Sequence, residues 1–217
     1  MKKIILAVAL VFSIVVSAQK KITEGKIIAK QTISTDNEQA QAQFDAIGAM
    51  ESITYFKNKN SRAEIKNPSS GDIVTVINSE KNEMLMLMDN PVLGKLYMLK
   101  KDLVTKEDLK NIKVTKGIKI KEILGYECEQ YIAIIDKKGV MLEMELFTTE
   151  EIPVVSQQVA ELGDEIKGFP LYVVTKMNQM GIDMKITSEV TSIKEEKVSA
   201  ELFETTPPEG YKNMEEQ

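Results

Sequence analysis

The chain has 217 residues and a formal net charge of −5, with 43% hydrophobic residues, one cysteine and no histidine. This length allows a domain with a substantial core, and the hydrophobic content argues against an intrinsically disordered chain. An acidic balance without clustered basic residues argues against nucleic acid as a partner, because phosphate binding needs concentrated positive charge. The lack of histidine removes the usual general base and most zinc, copper(II) and iron sites, so we expect a non-catalytic protein without metal or cofactor.

Residues 1–18 have the three parts of a cleavable secretory signal peptide. Lys2 and Lys3 supply positive charge, residues 4–16 are nearly all apolar, and residues 16–18 (Val-Ser-Ala) supply the small side chains that cleavage requires. The apolar run is much shorter than the roughly 20 residues of a spanning helix, so a retained membrane anchor is the less favoured alternative. We therefore expect export to the periplasm or the extracellular space, with no integral membrane segment after cleavage.

The next part of the chain predicts a strand followed by the main helix. Residues 22–33 alternate with period two, as a half-buried strand does. Residues 38–50 predict a helix, because Phe44, Ile47 and Met50 then lie on one helical face. Asp36 is predicted as the N-cap of this helix.

From residue 53 onward the period-two pattern predicts a series of strands. The predicted strands are residues 53–56, 61–66, 73–77, 84–88, 96–99, 114–123, 125–135, 140–147, 171–177 and 182–193. Residues 106–110 predict a single helical turn, and residues 155–162 predict a second, short helix. Because short polar turns join consecutive strands, the sheet should be antiparallel. We expect a mainly β (α+β) fold over residues 19–217, a single domain in which a curved antiparallel sheet or half-barrel wraps the main N-terminal helix and the short second helix.

Three segments of the chain resemble a family of secreted bacterial domains of unknown function that is similar to the LolA-like lipoprotein carriers. The segments are residues 55–64 (YFKNKNSRAE), residues 123–131 (ILGYECEQY), and residues 202–203 (LF) followed by 208–212 (PEGYK). The resemblance implies a half-barrel of antiparallel strands whose mouth is closed by helices. It carries no catalytic residues and therefore implies no enzymatic activity.

Methionines and carboxylates are the remaining candidates for chemistry. Met84, Met86 and Met88 alternate along one strand, and thioethers can bind copper(I), but the leucines between them favour a core strand or a cavity lining. Glu143 and Glu145 share a strand face and could form an acid–base pair, although a solvated face is the favoured interpretation.

Cys128 lies between Glu127 and Glu129. A reactive thiol needs nearby positive charge, so these acidic neighbours favour a buried and inert thiol, with an intermolecular disulfide as the alternative.

The predicted sheet should have an incompletely filled interior. Strand twist makes a long sheet curl, and with 6% aromatic residues and no tryptophan few bulky side chains can fill its concave face. We therefore expect an exported binding protein that holds an apolar, lipid-like ligand between sheet and helix. The expected lining residues are Phe44, Ile47, Met84, Met86, Ile118, Ile120, Leu142, Met144, Met184 and Ile186. The alternative is a structural or protein-interaction domain of the cell envelope with a fully packed core.

Overall fold

The computed structural model describes residues 21–67, 71–137, 139–179 and 181–216. The predicted signal peptide and its cleavage site lie outside these residues. Within the described ranges no helix is long and apolar enough to cross a membrane.

Strands make up most of the described structure. The strands are β1 (Glu24–Thr35), β2 (Met50–Lys57), β3 (Asn60–Ile65), β4 (Asp72–Asn78), β5 (Glu83–Asn90), β6 (Gly94–Lys101), β7 (Ile112–Ile123), β8 (Tyr126–Lys137), β9 (Val140–Thr149), β10 (Phe169–Gln179), β11 (Ile182–Glu195) and β12 (Lys212–Asn213). The two α-helices are α1 (Glu38–Ile47) and α2 (Lys106–Lys110), and residues Ala200–Phe203 and Met214–Glu216 form short 3-10 helices.

The strands form one open, curved sheet in the order β12-β6-β5-β4-β3-β2-β1-β11-β10-β9-β8-β7. Neighbouring strands are antiparallel except for the two-residue parallel pair β12–β6. The chain runs outward from β1 to β6, continues at the opposite edge with β7, and returns through the antiparallel neighbours β8, β9 and β10 until β11 pairs with β1. The prediction of a mainly β fold with a curved antiparallel sheet is thus confirmed.

The connection between β6 and β7 shows why the sheet must curl. These strands are consecutive in the chain but ten strand positions apart in the sheet. In a flat sheet that separation would be about 48 Å at about 4.8 Å per strand. The chain from Lys101 to Ile112 reaches about 40 Å at most when fully extended, and α2 shortens it further. The connection therefore holds the two edges of the sheet closer together than in a flat sheet. Within it, the Nζ atom of Lys100 on β6 lies 3.6 Å from the Oδ2 atom of Asp108 on α2.

Residues 150–168, here called the crossing segment, fill the middle of the concave face. They connect β9 to β10 and contain turns but no regular helix or strand. Their buried side chains are Ile152, Val154, Ser156, Val159, Ala160, Leu162 and Ile166. Leu162 belongs to a core cluster with Met144 of β9, whereas Ala160 clusters with Met84 of β5. Because β9 and β5 lie in opposite halves of the sheet, the crossing segment ties the two halves together.

The prediction of a short helix over residues 155–162 is wrong. The N–H groups of Val159 and Ala160 both donate to the carbonyl of Ser156, at 3.1 and 2.9 Å, and the turn is not continued. The segment has to place its apolar residues on both halves of the sheet, so it stays irregular. At its end Gly168 has φ +76°, and a Cβ there would lie 2.0 Å from the carbonyl oxygen of Thr149, which leaves room for glycine alone.

Helix α1 connects β1 to β2 at one end of the sheet. Its N-cap is Asn37 rather than Asp36, and the Asn37 side chain accepts a hydrogen bond from the N–H of Ala40 at 2.9 Å. The helix ends at Ile47, three residues earlier than predicted, and Met50 already belongs to β2. No residue of α1 is buried, so the structure does not confirm a sheet wrapped around this helix. The second helix is the turn predicted at residues 106–110, capped by Thr105.

The C-terminal residues 196–211 cover the opposite face of β2 to β6. Val198 and Phe203 are buried there with Leu85 of β5. The Glu24 carboxylate accepts from the N–H of Val198, and Lys57 donates to the Val198 carbonyl at 3.0 Å. The pKa of Glu24 is lowered most by the hydrogen bond from Val198 and next by the hydrogen bond from Lys57. Both ends of the described chain are therefore anchored on the same sheet.

Cys128 is fully buried on β8, in the core cluster that contains Ile152 and Phe147. Burial and, to a smaller extent, the carboxylate of Glu127 raise the pKa of the thiol to about 11. The position and environment agree with the prediction of a buried thiol.

The role of the crossing segment leads to a first prediction. Leu162 is 3% exposed, so Leu162→Ala should lower the free energy of unfolding by about 2–4 kcal/mol through lost burial and the cavity left behind. Leu93 is 64% exposed, and the matched control Leu93→Ala should change the free energy of unfolding by less than about 0.5 kcal/mol. Urea unfolding measures both, and equal effects would show that the crossing segment is not part of the core.

The raised pKa of Cys128 leads to a second prediction. With a pKa of about 11 only about one thiol in a thousand is ionised at pH 8, and the thiolate is the form that reacts. A maleimide should therefore label the native protein at pH 8 at least about 100-fold more slowly than the urea-unfolded protein. Labelling of the native protein at the rate of the unfolded chain would contradict the buried position.

Candidate functional site

A groove of about 610 Å³ lies over the ends of β1, β9, β10 and β11, next to the start of α1. The strand register places Leu142, Met177, Met184 and Thr35 side by side in one row of this groove. Ile134 also lines it. Its volume lies within the range of small-molecule sites, roughly 300–1,000 Å³.

Charged side chains surround the apolar part of the groove. Lys176 forms an ion pair with Glu143 at 3.6 Å, and Lys185 and Asp183 also line the groove. Residues adjacent along a strand point to opposite faces, so these charges belong to the face opposite Leu142 and Met184. Most of the groove's lining, including Ile134, therefore belongs to that opposite face, and the row of Leu142, Met177, Met184 and Thr35 is its contribution from the concave face.

Two residues inward from the groove the concave face is mainly apolar. Ile33 of β1 pairs with Ile186 of β11, and both are half-buried. Thr175 of β10 and the buried Met144 of β9 complete this cross-strand row. A mainly apolar surface thus continues from the groove to the crossing segment.

One further row inward the lining becomes polar. Gln31 of β1 pairs with Ser188 of β11, and both line a cavity of about 270 Å³ under the crossing segment. The lining residues of this polar cavity are Gln31, Ser52, Thr54, Ser61, Ala63, Ile65, Thr75, Ile77, Ser156, Gln157, Gln158 and Ser188. None of these side chains carries a charge.

Two hydroxyls of the polar cavity lack a hydrogen-bond partner within the described residues. They are Thr75 Oγ1 and Ser156 Oγ, on residues that are each 2% exposed. The Ser61 hydroxyl is satisfied, because it donates to the carbonyl of Val155 at 2.7 Å. The cavity therefore offers hydrogen-bonding groups that the described protein does not use.

The residues predicted from sequence to line a ligand cavity are only partly brought together. Leu142 and Met184 line the groove, Ile186 follows one row inward, and Met144 lies in that same row. Phe44, half-buried, and Ile47, exposed, lie on α1 next to the groove's end of the sheet.

The other four predicted residues lie elsewhere. Met84 and Met86 point to the concave face from β5, in the other half of the sheet, and Met84 is buried in a core cluster. Ile118 and Ile120 lie exposed on the edge strand β7, and Ile118 is 98% exposed.

The carboxylates considered for catalysis are paired with cations or amides. Glu143 forms the ion pair with Lys176, and Glu145 accepts hydrogen bonds from Gln130 at 2.6 Å and Lys119 at 3.4 Å. Burial acts to raise the pKa of Glu145, but these hydrogen bonds and the charges of Lys119 and Lys121 together outweigh burial and leave the pKa lowered. The carboxylate is thus ionised near neutral pH, which does not suit a general acid. Among the described residues no group of three or more His, Cys, Asp or Glu side chains could hold a metal ion.

Sequence reasoning did not identify the polar cavity. Its signal was present as hydroxyl residues at period two, such as Ser52 and Thr54 on β2 and Thr75 on β4. Met177 was not predicted to line the ligand site, although the register places it between Leu142 and Met184.

Comparison with known proteins identifies a fold neighbour and a family. The structure is similar to a solved structure described as "Structure of PNGF-II in C2 space group", with a TM-score of 0.52 and 16% sequence identity. The match covers 88% of this chain and 30% of that chain, and at this identity it shows a shared fold only. Among curated proteins none matches this chain. The family model described as "Domain of unknown function (DUF4412)" matches residues 38–211, and the chain belongs to this family.

Proposed function

We propose that this chain is an exported, non-catalytic binding protein that holds an apolar, lipid-like ligand between the open end of the concave face and α1. The observation that carries the proposal is the groove of about 610 Å³, whose row of Leu142, Met177 and Met184 continues inward to Ile33 and Ile186. The crossing segment covers the concave face beyond these residues, so a ligand bound in this groove would enter from the end of the sheet next to α1.

The side chains of the groove suit an alkyl chain. Each methylene moved from water to apolar contact contributes about 0.8 kcal/mol. Met177 and Met184 are flexible, polarisable side chains that adapt to ligands of different shape.

The proposal predicts saturable binding of a fluorescent fatty acid to the delipidated protein. Ile186→Trp should weaken this binding at least about tenfold, because the indole occupies space beside Ile33 that the alkyl chain would fill. The matched control Ile118→Trp changes a 98% exposed residue and should leave the affinity unchanged. Circular dichroism must show that both variants are folded.

Two results would contradict the proposal. One is the absence of saturable uptake by the folded, delipidated protein. The other is an equal affinity of Ile186→Trp, Ile118→Trp and the unchanged protein.

The second candidate is a structural or protein-interaction domain, and β7 favours it. This strand lies at an edge of the sheet and carries the exposed Ile118 and Ile120. The outer edge of such a strand can pair with an extended segment of another protein. If uptake fails, this function replaces the first, and Ile118→Lys should then release a protein partner from the cell envelope.

Export is proposed from the pattern of residues 1–18. Mass spectrometry of the protein recovered from outside the cytoplasm should find a mature chain that begins at Gln19. An exported protein that retains Met1 would contradict cleavage.

A further inference from the structure

We infer that the ligand carries a neutral hydroxyl or amide group at its buried end, and that this group binds in the polar cavity under the crossing segment. The inference rests on the proposed function, since it assigns a chemical class to the ligand of the same concave face. It points to a neutral amphiphile, such as an acylglycerol, rather than to an ionised fatty acid.

The order of side chains along β1 and β11 supports this assignment. On the concave face the paired residues are Thr35 with Met184, then Ile33 with Ile186, then Gln31 with Ser188. Four residues of strand separate the first pair from the last, which is about 13 Å. A ligand that enters at the groove therefore meets mainly apolar side chains, Met184, Ile33 and Ile186, before the hydrogen-bonding pair Gln31 and Ser188 at the inner end.

The chemistry of the polar cavity selects a neutral group. Its lining consists of hydroxyl, amide and aliphatic side chains, with no cation to balance a buried carboxylate or phosphate. Burial of an ionised group without such a partner is strongly unfavourable. A hydroxyl or an amide, in contrast, can both donate to and accept from serine, threonine and glutamine side chains.

The unpaired hydroxyls show where the ligand group would bind. Thr75 Oγ1 on β4 and Ser156 Oγ in the crossing segment both belong to the cavity lining and have no partner within the described residues. A buried polar group without a hydrogen bond destabilises the folded protein. A ligand hydroxyl or amide within hydrogen-bond distance of either oxygen would satisfy it, and water is the competing occupant because the cavity is roomy and polar.

The test uses three ligands that share one alkyl chain. Monooleoylglycerol, methyl oleate and oleate are each used to displace the fluorescent fatty acid from the delipidated full-length mature protein. Monooleoylglycerol should bind about tenfold more tightly than methyl oleate, as expected when about two hydrogen bonds are added. Oleate should bind more weakly than monooleoylglycerol.

Variants of the cavity separate head-group binding from chain binding. Thr75→Val keeps the side-chain shape and removes the hydroxyl. It should therefore lower the affinity for monooleoylglycerol about fivefold and leave the affinity for methyl oleate unchanged. The same substitution should raise the thermal midpoint of the ligand-free protein, because it removes an unpaired buried hydroxyl. Thr75→Ser retains the hydroxyl and should retain the preference. If Thr75→Val does not fold, Ser156→Ala gives the same comparison.

The outcomes distinguish this inference from the proposed function. If the three ligands bind equally, or if Thr75→Val and Ser156→Ala leave the preference unchanged, the inference is wrong and the cavity holds water, while chain binding still stands. If no ligand displaces the probe and the probe itself does not bind, the proposed function fails and the inference fails with it.

Discussion

The short connection between β6 and β7 is the constraint on which the rest of the structure depends. A chain that reaches about 40 Å at most joins strands at opposite edges of a sheet that would be wider if it were flat. The sheet must therefore curl, and its concave face must be filled. The crossing segment does this by packing Leu162 against one half-sheet and Ala160 against the other. The short β6–β7 connection thus requires the sheet to curl, and the curled sheet in turn creates the concave face that the crossing segment fills.

The crossing segment divides the concave face into regions of different character. Beneath it lie core side chains such as Met84 and Met144, and at its margin Gln31 and Ser188 line the polar cavity. Beyond that margin the surface is mainly apolar and leads to the groove beside α1, a helix without buried residues. The gradient from groove to polar cavity follows from which side chains alternate on β1 and β11.

The strands could be predicted because their signal is local. Alternation of apolar and polar residues marks β1, β9 and β11 in any segment of a few residues. The cover of the concave face could not be predicted in the same way, since the irregular path of residues 150–168 depends on contacts with two distant half-sheets. Ile118 was predicted to line the interior but lies exposed on the edge strand β7. The alternation of side chains predicts a strand, but it does not reveal which strand is outermost in the sheet.

The central claim is that the open end of the concave face holds an apolar ligand in the cell. Native mass spectrometry of the protein purified from its own host tests this claim most directly. The account predicts a folded protein with a bound species of neutral-lipid mass, and it predicts that Ile186→Trp reduces that species while Ile118→Trp retains it. A folded protein of ligand-free mass alone, under conditions that preserve lipid adducts of a known carrier, would contradict the account.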